Sequence, residues 1–436
     1  MPELAFKKFL DNALCRSPYI QRLVVGFSGG LDSTVLLHLL MQMQSAHKRE
    51  LLAVHIHHGL SSNADAWANH AVAVCAAWQI PCTVRQVEVM RTASLEAAAR
   101  LVRRDALCGQ LQAGDALLLA QHQNDQAETV LFRLLRGSGV AGLSAMRGVS
   151  TINAPEGDNW PLWRPLLGVS RGALEQYARQ HELTWIDDES NTDTRFSRNF
   201  LRHDILPALQ QQWPAAVTTL AATARRMQEA DQLLQELAEE LAAVCIDGQQ
   251  RLLIPAVQAL SSGKQGLVLR YWLKQQGFRL PDEAVLHQIT SAVISAREDA
   301  APRLAWTGCE VRRYRQHLYA MAPRQDIEQK WATNWDMLAP LMLPDGRYLR
   351  VESTGDIHIH VRVRFRQGGE RLSGRGMTHD LKKLLQASAI PPWERNRLPL
   401  LFCGDALVAV AGTSLRSPEW PNGIQLMLEP AVSGAT

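Results

Sequence analysis

Residues 23–40 read LVVGFSGGLDSTVLLHLL, and this stretch decides the fold. The apolar run at residues 23–27 predicts a buried strand, and the leucines within residues 36–40 predict a helix. Gly29 and Gly30 stand between the two and predict a tight turn. A strand, a turn and a helix therefore follow one another without a gap.

The turn at residues 28–33 has the chemistry of an anion site. Glycine permits positive φ and lets backbone N–H groups crowd around an anion, and the next helix contributes the positive end of its dipole. A P-loop would also need a lysine after its second glycine, and the sequence has no such motif. The sequence therefore predicts an anion held by Ser28, Gly29, Gly30, Leu31, Asp32 and Ser33.

Residues 22–136 alternate apolar runs with helical periodicity. Strand-like runs each precede a helical period, in the pairs 51–56 and 64–78, 83–89 and 95–111, 116–120 and 127–135. This βαβ order predicts an α/β domain with a parallel sheet covered by helices. Ligands of such sheets bind beyond the carboxyl ends of the strands, so residues after each run are candidates for function.

Polar side chains follow the predicted strands. His57 ends one run, and His122 directly follows another. Asp125 and Glu128 share one face of the next helix, where their charge also suits the helix dipole. With His122 they predict a metal or amine site, whereas His57 carries the weaker signal because loop histidines commonly have no function.

Two helix starts carry concentrated arginine. Arg100 lies one turn before Arg104, with Arg103 beside them, and Arg202 ends the segment Arg198-Asn199-Phe200-Leu201-Arg202. Such faces are able to meet phosphate, although a solvated helix surface gives the same pattern. Arg100 and Arg202 are therefore candidates for contact with a negatively charged group.

Composition limits the class of protein. The chain has 436 residues, a length that predicts two or three domains. Its formal net charge of +3 argues neither for nor against a nucleic-acid partner until the distribution of charges is considered. The seven cysteines show no zinc spacing, which predicts reduced thiols. Neither a signal sequence nor an apolar stretch of about 20 residues is present, so we expect a cytoplasmic protein without a membrane span.

Shifts in composition divide the chain. We expect a catalytic domain at residues 1–214 and a linker helix at 215–248, where residues 215–244 lack both Gly and Pro. A small mixed domain at 249–324 and an α+β domain at 340–436 follow. Residues 137–163, with several glycines and two prolines, indicate a surface connection or an insertion over the mouth.

The last domain carries a basic segment. Between residues 362 and 397 there are nine Lys or Arg and three Asp or Glu, a concentration typical of contact with a phosphate backbone. A tryptophan after two prolines either stacks on a base or packs in a core. We assign contact with a nucleic-acid backbone to Arg371, Arg375, Lys382, Lys383, Trp393 and Arg395.

The turn resembles the pyrophosphate loop of the ATP pyrophosphatases. Further motifs occur in the order seen in the tRNA(Ile)-lysidine synthetases: HHGL at 57–60, SLEAAAR at 94–100, HQNDQAET at 122–129, RPLL at 164–167 and RNFLR at 198–202. The similarity covers residues 22–206 and continues at Lys382-Lys383-Leu384-Leu385 and at residues 390–395. Gln121 departs from the wider pattern, in which histidine is common.

The resemblance implies a reaction. It is the ATP-dependent attachment of free L-lysine to C2 of the wobble cytidine in an isoleucine tRNA with a CAU anticodon. The cytosine O2 attacks the α-phosphate, pyrophosphate leaves, and the lysine ε-amine displaces AMP. ATP, Mg²⁺, tRNA and lysine are then the substrates and cofactor, the turn with His57 and His122 is the ATP site, and a homodimer is an open expectation.

The same resemblance implies roles that it does not fully separate. Arg100 and Arg202 are expected to stabilise developing negative charge, and Asp125 or Glu128 to accept the ammonium proton of lysine. Asp32 is expected to hold Mg²⁺ or the cytosine. The sequence leaves the assignment among these three acids open.

Other functions are weighed against this one. A tRNA thiolase of the same fold would need paired cysteines near the site, and Cys75, Cys82 and Cys108 show no such pair in the sequence. An amide-forming synthetase would leave the basic domain without a role. A catalytically silent RNA-binding protein would not need the phosphate turn and its acidic residues.

Overall fold

The computed structural model describes residues 2–59, 61, 63–88, 95–154, 157–187, 195, 197–297, 300–324, 327–353, 359–374, 377–421 and 423–429. The chain forms two compact units, residues 1–237 and 238–436. In the described ranges, no helix combines the length and apolar character needed to cross a membrane.

The first unit is built on a six-stranded sheet in the order β3-β2-β1-β4-β6-β5. Its strands are β1 (Arg22–Gly26), β2 (Glu50–His57), β3 (Cys82–Gln86), β4 (Asp115–Leu118), β5 (Val149–Asn153) and β6 (Asn159–Trp163). Every pairing is parallel except that of β5 with β6. The predicted α/β class with a parallel sheet is therefore confirmed.

Helices cover both faces of this sheet, as apolar runs buried on two sides require. They are α1 (Pro2–Arg16), α2 (Leu31–Gln42), α3 (Gln44–His47), α4 (Ala64–Ala77), α5 (Leu95–Cys108), α6 (Gln123–Leu134), α7 (Val140–Leu143), α8 (Arg171–Gln180), α9 (Ser197–Phe200), a π-helical turn (Leu201–Ile205) and α10 (Leu206–Gln212). The larger core includes Phe6, Leu36 and Trp163, and the smaller one, on the opposite face, includes Leu107 and Leu162.

The segment at residues 137–163 differs from the prediction. We expected a surface connection or an insertion over the mouth, but β5 and β6 form a hairpin in its second half and β6 joins the sheet beside β4. Trp163 is fully buried and Leu162 nearly so. The glycines and prolines of the segment obscured this short apolar strand, because they are typical of loops.

The strand order places β1 between β2 and β4. After β1 the chain crosses to β2 on one side, whereas the strand on the other side, β4, is reached only later. This is the switch point of an open α/β sheet, where ligands bind between the loops that leave the two strands. The loops after β1 and β4 therefore line one mouth, as predicted.

A helix of 30 residues, α11 (Ala216–Cys245), matches the predicted helix and runs from the first unit into the second. The second unit adds α12 (Ile254–Gln258), α13 (Ser262–Gln275), α14 (Glu283–Gln288), a π-helical turn (Ile289–Ile294), α15 (Leu381–Ala387) and α16 (Pro392–Arg395). Its strands are β7 (Leu252–Leu253), β8 (Arg303–Trp306), β9 (Cys309–Tyr314), β10 (His317–Met321), β11 (Ala332–Trp335), β12 (Leu341–Met342), β13 (Tyr348–Ser353), β14 (Val361–Arg364), β15 (Arg371–Ser373), β16 (Thr378–Asp380), β17 (Leu400–Cys403), β18 (Ala406–Val410) and β19 (Ile424–Glu429).

These strands form three sheets. The first, β7-β10-β9-β8, packs on α12 to α14 around Trp272. The other two are β11-β14-β17-β18-β15-β16 and β12-β13-β19. Residues 310–321 have a strand-like sequence, yet they form a hairpin that turns at Arg315, whose φ is 53°. The basic sequence from Thr378 to Ala387 reads as one helix, but the helix α15 begins only at Leu381, after strand β16.

Candidate active site

The turn after β1 is held in shape by its own polar groups. Gly29 has φ 81°, a conformation that favours glycine. The Ser28 Oγ accepts a bond from the Gly30 N–H at 3.3 Å and lies 3.0 Å from the Ser33 Oγ, which donates to the Gly30 carbonyl at 3.0 Å. Gly30 caps α2 without a side-chain bond, which leaves the positive end of this helix directed at the turn.

Two contacts that the sequence did not indicate fix this turn. The buried His55 ring on β2 bonds through Nδ1 to the Phe27 carbonyl at 3.0 Å. Burial lowers the pKa of His55, so its neutral ring makes this bond. From the far side, the Ile186 N–H donates to the Gly29 carbonyl at 2.9 Å. The pairing of β1 with β2 is the one signal that could have indicated His55. This pairing brings His55 beside Phe27, the residue that directly precedes Ser28.

His122 connects two of the predicted acids. Its ring caps α6 by accepting the Asn124 N–H at Nδ1, at 3.2 Å. The buried Nε2 lies 3.5 Å from an oxygen of Asp32 and 3.5 Å from an oxygen of Asp125. Burial alone would lower the pKa of His122, but the two carboxylates outweigh burial and raise this pKa. The loops after β1 and β4 thus meet at this ring.

Arg202 closes the opposite side of the acidic group. Its Nε and Nη2 donate to the two oxygens of Glu128 at 2.7 and 3.1 Å, and Nη2 also donates to Asp125 at 2.9 Å. The Glu128 side chain is completely buried. Burial raises the pKa of Glu128, and Arg202 opposes this effect. Both Glu128 oxygens accept hydrogen bonds from the guanidinium, whereas the sequence left Glu128 open as an alternative to Asp125 for the base.

His57 and Arg100 lie at the same mouth with different surroundings. His57 ends β2 and bonds through Nε2 to Asp65 at 3.0 Å, while its buried Nδ1 meets no partner among the described residues. Arg100 is exposed on α5, and its charge contributes to lowering the pKa of Arg164. Arg164 begins the RPLL motif at 164–167, but the sequence indicates no role for it.

Of the residues predicted to contact tRNA, Arg371, Lys382 and Lys383 are exposed, and none of the three has an ion-pair partner among the described residues. Asp380 caps α15 by accepting the Lys382 N–H at 2.7 Å. Arg375 lies outside the described residues.

Trp393 and Arg395 have another environment. Trp393 packs edge-on against Tyr314 and Tyr319, at ring distances of 6.2 and 5.3 Å, and the Arg312 guanidinium lies 5.3 Å from the Trp393 ring centre. Arg395 donates to the Ile390 carbonyl and to the Tyr314 hydroxyl. These contacts join α16 to β9 and β10, and they favour packing over base stacking, the two alternatives that the sequence left open for Trp393.

The cysteines contain one pair that the sequence analysis did not find. The thiols of Cys75 and Cys82 are neighbours, and the interaction with Cys82, together with burial, raises the pKa of Cys75. Cys82 begins β3, so the pair lies at the opposite end of the strands from the mouth. All seven cysteines are free thiols, and within the described ranges no group of three His, Cys, Asp or Glu residues is arranged to hold a metal.

Comparisons with known proteins agree with this site. A PP-loop domain matches residues 3–209, a TilS substrate binding domain matches 252–319, and a TilS substrate C-terminal domain matches 361–419. Among solved structures, a U34-tRNA thiolase from Methanococcus maripaludis aligns with a TM-score of 0.42 and 18% identity, over 52% of this chain and 78% of that chain. This likeness is too low to bear on function.

Curated relatives match over nearly the whole chain. The tRNA(Ile)-lysidine synthase of Serratia proteamaculans is 42% identical, over 90% of this chain and 91% of its own length. That of Legionella pneumophila strain Paris is 40% identical over 92% and 93%, and that of Xanthomonas campestris strain 8004 is 41% identical over 91% and 92%. The chain therefore belongs to the tRNA(Ile)-lysidine synthase family.

Proposed function

We propose that this enzyme uses ATP to join free L-lysine to C2 of the wobble cytidine in an isoleucine tRNA with a CAU anticodon, and releases AMP and pyrophosphate. One observation carries the proposal. The phosphate turn and the group formed by Asp32, His122, Asp125 and Arg202 share one mouth at the switch point of the sheet. An anion-binding turn beside fixed acids and an arginine suits attack on a nucleotide phosphate.

The turn at residues 28–33 is proposed to bind the phosphates of ATP, and Asp32 to hold Mg²⁺ against them. The Asp32 Oδ1 is buried and has no hydrogen-bond partner among the described residues, so it is available to a cation. One carboxylate suffices, because Mg²⁺ keeps several waters and takes its other ligands from substrate phosphates. Bound Mg²⁺ would neutralise phosphate charge. The unpartnered Nδ1 of His57 is an acceptor for a donor of the nucleotide.

Arg202 is proposed to stabilise the charge that develops as the cytosine O2 attacks the α-phosphate. Glu128 and Asp125 bind Nε and Nη2 and fix the plane of the guanidinium. Nη1 keeps its hydrogen atoms free of any described partner and is able to donate to the reacting phosphate. A donor that is fixed in advance needs no reorganisation when the charge forms. Arg100 is proposed to contribute positive charge from α5.

Asp125 is the better candidate to receive the lysine ammonium. Free lysine has a side-chain pKa near ~10.4, so forming its neutral amine at pH ~7.4 costs about 4 kcal/mol without help from the site. Both Asp125 oxygens accept hydrogen bonds, Oδ1 from Arg202 and Oδ2 from the His122 N–H, but the side chain remains partly exposed, whereas Glu128 is sealed behind Arg202. We therefore assign ammonium binding and proton acceptance to Asp125, and the positioning of Arg202 to Glu128.

The tRNA is proposed to contact the exposed cations Arg371, Lys382 and Lys383 of the second unit, because unpaired surface cations suit a phosphate backbone. We also propose a cytoplasmic location, where this substrate occurs. A homodimer remains a prediction from the sequence.

Incorporation of labelled lysine tests the proposal. Purified enzyme, Mg-ATP, labelled L-lysine and bulk bacterial tRNA should yield RNA-bound label and AMP in equal amounts. The Asp125→Ala variant should bind tRNA normally and incorporate no lysine. AMP release without labelled RNA would assign another nucleophile or acceptor, and full incorporation by Asp125→Ala would refute the role given to Asp125.

A further inference from the structure

Arg164 lies at the mouth but has no role in the mechanism above. It directly follows β6, which pairs in parallel with β4, and the Leu119 N–H donates to the Trp163 carbonyl at 3.0 Å. Arg164 is therefore next to the point where β4 leads into His122. This is the edge of the sheet at which ligands bind.

The Arg164 side chain is held only by neutral groups. Its Nη1 donates to the Arg147 carbonyl at 2.9 Å and to the Ser150 hydroxyl at 3.0 Å. Its Nε is buried and meets no acceptor among the described residues. No carboxylate within the described ranges contacts the guanidinium.

Other arginines of the same unit are paired differently. Arg22 is bound by Asp115, Arg147 by Asp231, and Arg202 by two acids. Arg133 has no acidic partner among the described residues, but its Nη1 donates to the Gly142 and Ala145 carbonyls near the end of α7. Only Arg164, among these five, keeps a buried donor without an acceptor.

This arrangement is unfavourable without a ligand. Burying a charge that lacks a counter-ion costs free energy, and an unsatisfied buried donor adds to the cost. Burial, together with the nearby charge of Arg100, lowers the pKa of Arg164 to about 10. An anion bound between β4 and β6 would supply both the missing acceptor and the missing charge.

We propose that Arg164 binds an oxyanion of a substrate, the phosphate of ATP or the carboxylate of lysine, at the β4–β6 side of the mouth. The inference rests on the proposed function for its choice of substrates. The geometry suits an oxyanion because Nε and Nη2, the two donors on one edge of the guanidinium, have no described partner.

The test compares Arg164→Gln with Arg171→Gln, a control that removes a surface arginine from an ion pair with Glu175. Calorimetry on the full-length protein gives the Kd for inorganic pyrophosphate with Mg²⁺, for L-lysine and for cadaverine, which is lysine without its carboxylate. We expect Arg164→Gln to weaken one anion at least about tenfold, as loss of a charged hydrogen bond predicts. Weaker binding of pyrophosphate would show that Arg164 binds the phosphate of ATP. Weaker binding of lysine with unchanged binding of cadaverine would show that it binds the carboxylate of lysine.

Unfolding in urea without ligand gives a second readout. Because Arg164→Gln removes an uncompensated charge, it should be at least as stable as the wild type. A clear loss of stability with unchanged Kd values for all three probes would give Arg164 a structural role and overturn the inference, as would unchanged Kd values alone.

If Arg164→Gln does not fold, the variant Arg164→Lys tests whether Arg164 binds an oxyanion. Its ammonium keeps the charge but loses the paired donors, so one anion should still bind more weakly, and equal Kd values would overturn the inference. None of these measurements requires tRNA. A wild-type enzyme that fails to incorporate lysine would refute the proposed function, while the binding data would still decide the role of Arg164.

Discussion

At the scale of single residues, the site is organised by the pairing of Glu128 with Arg202. Glu128 is completely buried and gives both oxygens to one guanidinium, and Asp125 accepts from the same Nη2. A carboxylate enclosed in this way cannot also bind a substrate amine. We therefore propose that Glu128 contributes to the reaction by fixing the orientation of Arg202.

Replacing Glu128 tests this role. Glu128→Gln keeps the shape but loses the charge-assisted bonds, so the free energy of unfolding should fall by about 2 kcal/mol, and kcat for lysine incorporation should fall more than the KM for lysine rises. Urea unfolding and steady-state kinetics measure both effects. The surface variant Glu175→Gln should change stability by less than about 0.5 kcal/mol. A raised KM for lysine with unchanged kcat would instead place Glu128 in direct contact with lysine.

A second residue-scale prediction concerns acid stability. His38 is buried, and its Nδ1 lies 2.9 Å from the Tyr177 hydroxyl. Burial, and secondly the charge of His181, lowers the pKa of His38 below 6.5. The unfolded chain therefore binds the proton more readily, so the stability due to this group is present above pH ~6.5 and is lost as the pH falls through the folded-state pKa.

In His38→Gln this loss should be absent. Between about pH 7.5 and 5.5, the free energy of unfolding should fall less in His38→Gln than in the wild type, by about 1.4 kcal/mol for each unit of depressed pKa. Urea titrations at several pH values measure it. Parallel pH profiles for the two proteins would contradict the account.

The sequence predicted which polar residues share the mouth but not what each one does. Asp32, His122 and Asp125 follow strand ends, and this is enough to bring them together in a parallel sheet. The pairing of Glu128 with Arg202 joins positions 74 residues apart, and no local pattern indicates it. The same holds for Trp393 on α16, whose partners Tyr314 and Tyr319 lie on β9 and β10.

At the scale of elements, the backbone carbonyl of Met146 joins α6 to α11. The side chain of Gln126, on α6, exchanges two hydrogen bonds with the backbone of Met146, at 2.9 and 3.0 Å. The Met146 carbonyl also accepts from Gln228 of α11, at 2.8 Å. Gln228 additionally donates to the Ser144 carbonyl at 2.7 Å. These bonds fix α11 to the loop beside the site.

Replacing Gln228 should loosen this junction. Gln228→Leu removes the donor to two carbonyls and should lower the free energy of unfolding by about 1–3 kcal/mol. Gln232→Leu is a matched control, because Gln232 lies one turn further on α11 and bonds only to exposed Glu236. Its effect should stay within about 0.5 kcal/mol. Equal effects of the two variants would show that the junction adds no stability.

The elements were predictable where periodicity is long and unbroken. The βαβ series and α11 match their predicted ranges closely, because apolar alternation and uninterrupted helix formers identify them. The β5–β6 hairpin was missed because its apolar residues stand among glycine and proline. The turn at Arg315 was missed because no Gly, Asn or Asp marks it, and the chain accepts a positive φ at an arginine there.

At the scale of the whole molecule, charge is distributed unevenly although the net charge is only +3. Many arginines of the basic C-terminal segment are tied to acids inside the second unit, such as Arg364 to Glu370 and Arg397 to Asp345. Lys382 and Lys383 are exposed and lack such partners among the described residues. They are the cations most available to a polyanion.

Removing these two lysines should weaken tRNA binding through salt-dependent contacts. For Lys382→Ala/Lys383→Ala we expect a lower tRNA affinity and a log–log salt slope smaller by about 2, because each lost phosphate contact removes about one released counterion. The Kd for ATP should not change. Filter binding at several salt concentrations measures this, with Lys7→Ala/Lys8→Ala as a control pair of exposed lysines on α1. An equal loss of affinity in the control would argue against a specific contact.

The most direct measurement uses two transcripts of isoleucine tRNA, one with the CAU anticodon and one in which uridine replaces the wobble cytidine. With Mg-ATP and labelled lysine, the enzyme should label the first transcript with one AMP released per lysine attached, and should leave the second unlabelled. Equal labelling of both transcripts, or AMP release without labelled RNA, would contradict the proposal that the wobble cytidine is the acceptor of lysine.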